Sequence, residues 1–273
     1  MTTEGFTPAD LLGHTIGPVT VAVTPDSVAA YVAATRDDPE RWVGTAPPGF
    51  GSVLLFSVAD SFLYDPRIVE YTTTLMHVDQ TFTYPSPVVV PSDQIVTGTI
   101  TRVRERGGSF FVTFEATAVA GGETTVESIS TFLLSSQQAS PPDSERVEPA
   151  VRASGVNGSD GNALLRSVSR SDLVRYAAAS RDFNPFHWDH ESAVGAGMPG
   201  VVVHGLLMYA WAMQGVNLHG SVVSAKVRFR NALFPAEQAT VMTDVGGDQV
   251  NVVIARDGEQ LMTGTATVVP DAE

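Results

Sequence analysis

The sequence predicts an α+β protein built from two related halves, each an antiparallel curved sheet wrapped around a central apolar helix. Three observations predict this class. A fifteen-residue stretch occurs twice at a fixed offset, Val23–Asp37 and Val168–Asp182. Each copy is followed by an apolar segment, Val53–Leu63 and Leu206–Met213. Each half then closes with β-rich segments separated by glycine turn signals.

Each copy opens with a β-rich stretch, Ile16 to Val23 and Ala163 to Val168, followed by a helix start. In the first copy Thr24 is the expected N-cap and Pro25 supplies a pre-set first turn. In the second, Ser169 and Asp172 have capping-box spacing. Between the copies Tyr31 matches Tyr176, Ala33-Ala34 match Ala178-Ala179, and Arg36-Asp37 match Arg181-Asp182. Duplication explains this better than chance likeness between two alanine-rich helices. The segment Leu206–Met213 carries no charge on any face, so other structure must surround it, and it is too short to cross a membrane. Gly107-Gly108 and Gly121-Gly122 punctuate the first half, Gly246-Gly247 and Asp257-Gly258 the second, implying short hairpins and an antiparallel meander. A curved sheet around one apolar helix is the hotdog architecture, here a double hotdog. The boundaries expected are an N-terminal repeat over 1–134, a linker over 135–162 marked by Pro141-Pro142, Gly155, Gly158 and Gly161, and a C-terminal repeat over 163–273.

Composition narrows the function. With 43% hydrophobic and 17% charged residues, the 273-residue chain is globular. It holds no cysteine, which removes disulfides, thiolate nucleophiles and Cys-ligated metals. A net charge of −14 repels phosphate backbones, so nucleic acid is a poor partner. No leader signature and no spanning apolar run is visible, so the expected location is cytoplasmic and no membrane is expected as a partner. A sequon at Asn157 carries no weight there.

The densest polar cluster runs from Ser180 to Asp189, and Val201-Val-Val-His-Gly205 leads from it into the apolar helix. A carboxylate and an imidazole placed together can share one water, and histidine accepts and returns a proton near neutral pH. Pro185 stiffens the link between Asp182 and His187, and Asn184 can orient through its amide. Gly205, at a helix start, offers free N–H groups and lets a ligand approach closely.

Together these residues resemble the signature of the MaoC-like, R-specific enoyl-CoA hydratases and dehydratases. That signature is a serine or glycine, then Asp-x-Asn-Pro-apolar-His, then apolar-His-Gly at a helix start. Here it falls on Asp182, Asn184, Pro185, Phe186 and His187, then His204 and Gly205. The residue before the aspartate is usually glycine in that family and is Arg181 here. The resemblance covers the C-terminal half well and the N-terminal half weakly. It implies Asp182 and His187 as catalytic residues, Asn184, His204 and Gly205 as substrate-binding residues, and Gly205 as the oxyanion glycine. It implies reversible hydration of 2-enoyl thioesters to (3R)-3-hydroxyacyl thioesters. Coenzyme A or acyl carrier protein would be part of the substrate, with no metal or redox cofactor.

The N-terminal copy reads Thr35-Arg-Asp-Asp-Pro-Glu-Arg-Trp42 and lacks Asn-Pro-apolar-His, so it is expected to be degenerate and to leave room for a longer acyl chain. Other patterns rank lower. His187, Asp189 and His190 bunch on one turn without a distant ligand, a poor metal site. Gly195-Ala-Gly-Met-Pro-Gly200 spells a dinucleotide fingerprint, but no strand precedes it and Pro199 interrupts it. Arg228 and Arg230 share one strand face and either meet coenzyme A phosphates or are solvated. His14, His77 and His219 receive no role. Two rival functions stand beside the hydratase: a hotdog thioesterase, and a non-catalytic acyl-binding or partner subunit. Hotdog sheets pair edge to edge, which the two halves can do within one chain; a further homodimer is left open.

Overall fold

The computed structural model of the protein describes residues 5–138 and 163–270. Most of the expected linker, including Pro141-Pro142 and its glycines, lies outside the described residues.

The described elements follow the duplicated order. In the first half come β1 (Thr15–Val23), α1 (Pro25–Thr35), α2 (Gly51–Leu63), β2 (Thr74–Thr83), β3 (Ser92–Arg106), β4 (Ser109–Ala120) and β5 (Glu123–Ser135). In the second come β6 (Leu164–Arg166), α3 (Arg170–Ser180), α4 (His190–Gly195), α5 (Gly205–Val216), β7 (Ser221–Phe229), β8 (Ala239–Gly246), β9 (Gln249–Arg256) and β10 (Glu259–Val269). The strands form one antiparallel sheet in the order β1-β3-β4-β5-β2-β7-β10-β9-β8-β6. Equating β1 with β6, β3 with β8, β4 with β9, β5 with β10 and β2 with β7, that order reads the same from either end. The duplication seen in sequence is thus a duplication of topology. The halves meet where β2 pairs antiparallel with β7, from Asp79 opposite Arg228 to Thr83 opposite Ser224. This is the edge-to-edge pairing expected within one chain.

Local chemistry accounts for the elements. Thr24 accepts from Ser27 N, and Ser169 from Asp172 N, so both repeats start their first helix with a closed capping box; such a cap contributes about 1 kcal/mol. Both helices end on an arginine in the left-handed region, Arg36 at φ 55° and Arg181 at φ 66°. A Cβ makes that conformation costly by about 1–2 kcal/mol, which explains why glycine is the usual residue at the second position. The four glycine turn signals sit at the β3–β4, β4–β5, β8–β9 and β9–β10 hairpins. At the last, Asp257 and Gly258 both have positive φ, 50° and 85°, as a tight two-residue hairpin requires.

The apolar helices are the two cores. Every residue of α5 from Leu206 to Val216 is buried, Trp211 and Tyr209 among them. In α2 all but Ser57, Asp60 and Ser61 are buried. Burying each large apolar side chain stabilises by roughly 1.5–3 kcal/mol, so the helices fix the curvature of the sheet around them. Two details differ from expectation. β6 is shorter than Ala163–Val168, because Val168 already turns inward ahead of the Ser169 cap. And α4 was not foreseen: Asp189 accepts from Ser192 N at 2.9 Å and starts that helix. Among the described residues no helix is long and apolar enough to cross a membrane.

Candidate active site

The polar cluster that follows α3 folds back on itself over six residues. The Asp182 N–H donates to Ser180 Oγ at 3.3 Å, and Asn184 N donates to Asp182 Oδ1 at 3.3 Å. Asn184 Oδ1 in turn accepts from Phe186 N at 3.2 Å, capping the short 3-10 turn Pro185–His187. Pro185 at the first position of that turn fixes φ, so the turn delivers His187 back toward Asp182. Their closest atoms, His187 Nε2 and Asp182 Oδ2, are 3.9 Å apart, with side chains 11% and 8% exposed. That gap is too long for a direct hydrogen bond. A water about 2.8 Å from each atom fits it at an angle of roughly 90°.

His187 Nδ1 lies 2.8 Å from the Val202 carbonyl oxygen. A carbonyl only accepts, so Nδ1 carries the hydrogen, and in the neutral ring Nε2 presents a lone pair toward Asp182. Burial pushes the Asp182 carboxyl above its ordinary range, opposed by His187 and by the Asn184 N–H. A carboxyl raised in this way takes up a proton more readily than an exposed one.

Beneath His187 lies His204, stacked at 3.8 Å between ring centres and 24° between planes. His204 is fully buried, and its Nε2 donates to the Asp182 carbonyl at 3.2 Å. Burial drives it well below the ordinary imidazole range, so it stays neutral. His204 was expected among the substrate-binding residues, but it does not line the cavity and instead supports the other two. The next residue, Gly205, does line it, and so does Leu206. No side chain caps the start of α5, in contrast to α1 and α3. Its first N–H groups and the positive end of its dipole therefore face the cavity unengaged by any cap.

The cavity has a volume of about 720 Å³. Asp182, Asn184, His187 and Gly205 form one part of its wall, and Gly197, Met198 and Pro199 of the glycine-rich loop another. The first half contributes Phe56, Leu63, Tyr64, Leu75, His77 and Phe132. Phe56 and Leu63 belong to the apolar segment Val53–Leu63 noted in the sequence, and His77 was given no role; Tyr64, Leu75 and Phe132 were not picked out, since they lie far from the motif and carry no pattern of their own. Asp60, one turn before Tyr64, was missed as well. Its carboxyl is pushed up to about 8, by burial first and then by Asp182, against Arg181. Arg228 and Arg230 do share an exposed face; Arg228 lies 3.9 Å from Asp79, while Arg230 donates to Thr263 and lines the cavity.

One group among the described residues has metal-ligand spacing: Asp182, His187 and His204, within 4.8 Å of one another. The near-parallel stack of the two imidazoles sends their in-plane lone pairs side by side, whereas ligands to one ion must converge. The set fits a proton-handling pair with a support better than a metal centre.

The N-terminal counterpart is built differently. Trp42 stands where the offset places His187, and its indole N–H donates to Asp37 Oδ2 at 3.0 Å. An indole nitrogen has no lone pair to offer a proton, and it occupies the carboxylate.

Residues 159–268 match the family model described as the MaoC like domain. A stretch of 76 residues is 36% identical to the mitochondrial 3-hydroxyacyl-[acyl-carrier-protein] dehydratase of Arabidopsis thaliana, covering 27% of this chain and 46% of that one. The chain spans about half the length of the curated relatives it matches. HtdX of Mycobacterium tuberculosis superposes with a TM-score of 0.74 at 20% identity, over 94% of this chain and all of the other. A conserved hypothetical protein of the same organism, described as having a double hotdog fold, gives 0.66 at 12% identity over 98% and 99% of the two chains. The fold is a double hotdog.

Proposed function

We propose, on the premise that residues 159–268 are a MaoC-like domain, that this protein adds water reversibly across the 2,3-double bond of 2-enoyl thioesters. The observation that carries this is the 3.9 Å gap between His187 Nε2 and Asp182 Oδ2, opening on the same cavity as the start of α5.

In the hydration direction, a water held by the pair attacks C3 of the enoyl group. The π electrons move toward C2, and negative charge gathers on the thioester oxygen, where the Gly205 N–H meets it. Such a donor is worth roughly 3 kcal/mol in the transition state. The pair takes up one proton of the water and returns it to C2, leaving the hydroxyl on C3. Dehydration reverses each step. No electrons are gained or lost overall, so no redox cofactor is called for. The (3R) configuration follows from the family resemblance, and the carrier is coenzyme A or acyl carrier protein. The acyl tail runs toward Phe56, Leu63 and Phe132, into space contributed by the degenerate half. Since β2–β7 pairing already joins the halves, any further homodimer uses another surface.

Incubation with crotonyl-CoA tests this. Loss of the enoyl absorbance without release of free thiol is expected. Thiol release would mean a thioesterase, and neither signal would mean an acyl-binding or partner subunit.

A further inference from the structure

The cavity wall includes two arginines, and the hydration chemistry uses neither. Arg256 is already engaged. It donates to Glu237, to Glu259 and to the Ala232 carbonyl. Arg230 is not engaged in this way. Its backbone N–H donates to the Leu261 carbonyl at 2.9 Å, and its Nε donates to Thr263 Oγ1 at 3.0 Å, both on β10. Those two bonds hold the residue and one edge of the guanidinium. The two outer nitrogens are left without a carboxylate among the described residues, and the residue is exposed.

Its place along the wall decides what it faces. The ring centres of Phe132 and His77 are 4.6 Å apart, and those of His77 and Phe229 are 5.1 Å apart. The Phe229 ring would stand 3.1 Å from a Cβ on Gly205. The wall thus runs from the apolar acyl end at Phe132 to the thioester end at Gly205. Arg230 follows Phe229 in the chain and stands beyond that end, on the side of the carrier. The enoyl thioester is uncharged, so it offers a guanidinium no counter-charge. The pantetheine arm that bears it ends in a phosphate, which does. An arginine fork held by its Nε presents two outer donors that match two phosphate oxygens.

The surroundings favour an anion as well. Arg228 and Lys226 share the exposed face of β7 with Arg230, at steps of about 6.6 Å. Arg228 lies 3.9 Å from Asp79, too far for a hydrogen bond. The exposed acid in the cavity wall, Glu259, is already paired with Arg256. On a chain of net charge −14, three cations in a row form a local attractive patch for an anion that the rest of the surface repels.

We propose that Arg230 binds the phosphate at the end of the carrier's pantetheine arm, with Arg228 as the second cation. This rests on the hydratase proposal above. Coenzyme A and acyl carrier protein both carry that phosphate.

The test compares kcat/KM for crotonyl-pantetheine, which has no phosphate, with that for crotonyl-pantetheine 4′-phosphate at low salt. The wild-type protein should favour the phosphorylated arm by about tenfold, the low end for a hydrogen bond to a charged group. The gain should lie in KM, because the phosphate is held equally in the ground and transition states. Added salt should shrink it, since exposed charges are screened. In Arg230→Gln the ratio should fall to near one. No preference in the wild type, or a preference that survives Arg230→Gln, overturns the proposal. If the Gln variant does not fold, Arg230→Ala takes its place, and the wild-type comparison still decides. Crotonyl-CoA and crotonyl-loaded acyl carrier protein then distinguish the sources: the one whose kcat/KM falls further in Arg230→Gln supplies the phosphate. Failure of the wild type to hydrate any of these four thioesters would instead overturn the hydratase proposal.

Discussion

Replacing Gly205 by alanine probes the oxyanion site with a single methyl group. A Cβ there would stand 3.1–3.3 Å from three carbons of the Phe229 ring, closer than most such contacts. Phe229 is part-exposed, so it can yield by a few tenths of an ångström. Alanine also favours a helix over glycine by up to about 1 kcal/mol, which offsets the crowding. Stability should thus change by less than about 1 kcal/mol. Activity should not be spared, because the methyl occupies space at the α5 start where a thioester oxygen must reach the N–H. Losing one such donor costs about 2.7–4 kcal/mol, or 10²–10³ in kcat. Since the interaction strengthens only as charge develops, kcat and kcat/KM should fall together. The assay is steady-state hydration of crotonyl-CoA beside a thermal melt. A folded variant with kcat within about tenfold of wild type would refute the assignment, as tenfold is only about 1.4 kcal/mol.

Four further outcomes follow from the same geometry. Asp182→Asn and His187→Ala should each lower turnover by about 10²–10⁴-fold with unchanged circular dichroism. Leu63→Trp, in the cavity wall contributed by α2, should shift preference toward shorter acyl chains in a substrate panel; an unchanged profile would remove the first half from the binding site. Trp42→Phe strips the Asp37 carboxylate of its indole partner and should destabilise by about 1–3 kcal/mol in denaturant melts while leaving crotonyl-CoA hydration intact. Asp60 holds its proton more tightly folded than unfolded, its pKa rising from 3.8 to about 8. Between those values each rise in pH lowers stability, by at most about 1.4 kcal/mol per unit, and below them the effect vanishes. Asp60→Asn should therefore raise Tm more at pH 8 than at pH 5.

What the sequence displays and what it hides divide along physical lines. Capping boxes at Thr24 and Ser169, the Asp257-Gly258 hairpin and the charge-free run of α5 are local, so they are legible. Asp182 and His187 are legible for the same reason: five residues apart on one proline-stiffened turn, they can meet only there. The role of His204 is not, because its neighbours Tyr176, Asp182 and His187 come from α3 and the turn that follows it, and only packing shows that it lies beneath His187 instead of on the cavity wall. Trp42 reads as a lost histidine in sequence; that it also occupies Asp37 is visible only in three dimensions. Tyr64 and His77 reach the cavity from the first half of the chain, across a junction of the halves that no local pattern specifies.

The convergence of Asp182 and His187 on one water is tested most directly by a crystal structure of Asp182→Asn with crotonyl-CoA bound. The expected density is one water within hydrogen-bond reach of His187 Nε2 and the residue 182 side chain, close to C3, with the thioester oxygen on the Gly205 N–H. A thioester oxygen directed away from the start of α5, or an enoyl group with neither side chain in reach of its C3, would contradict the account.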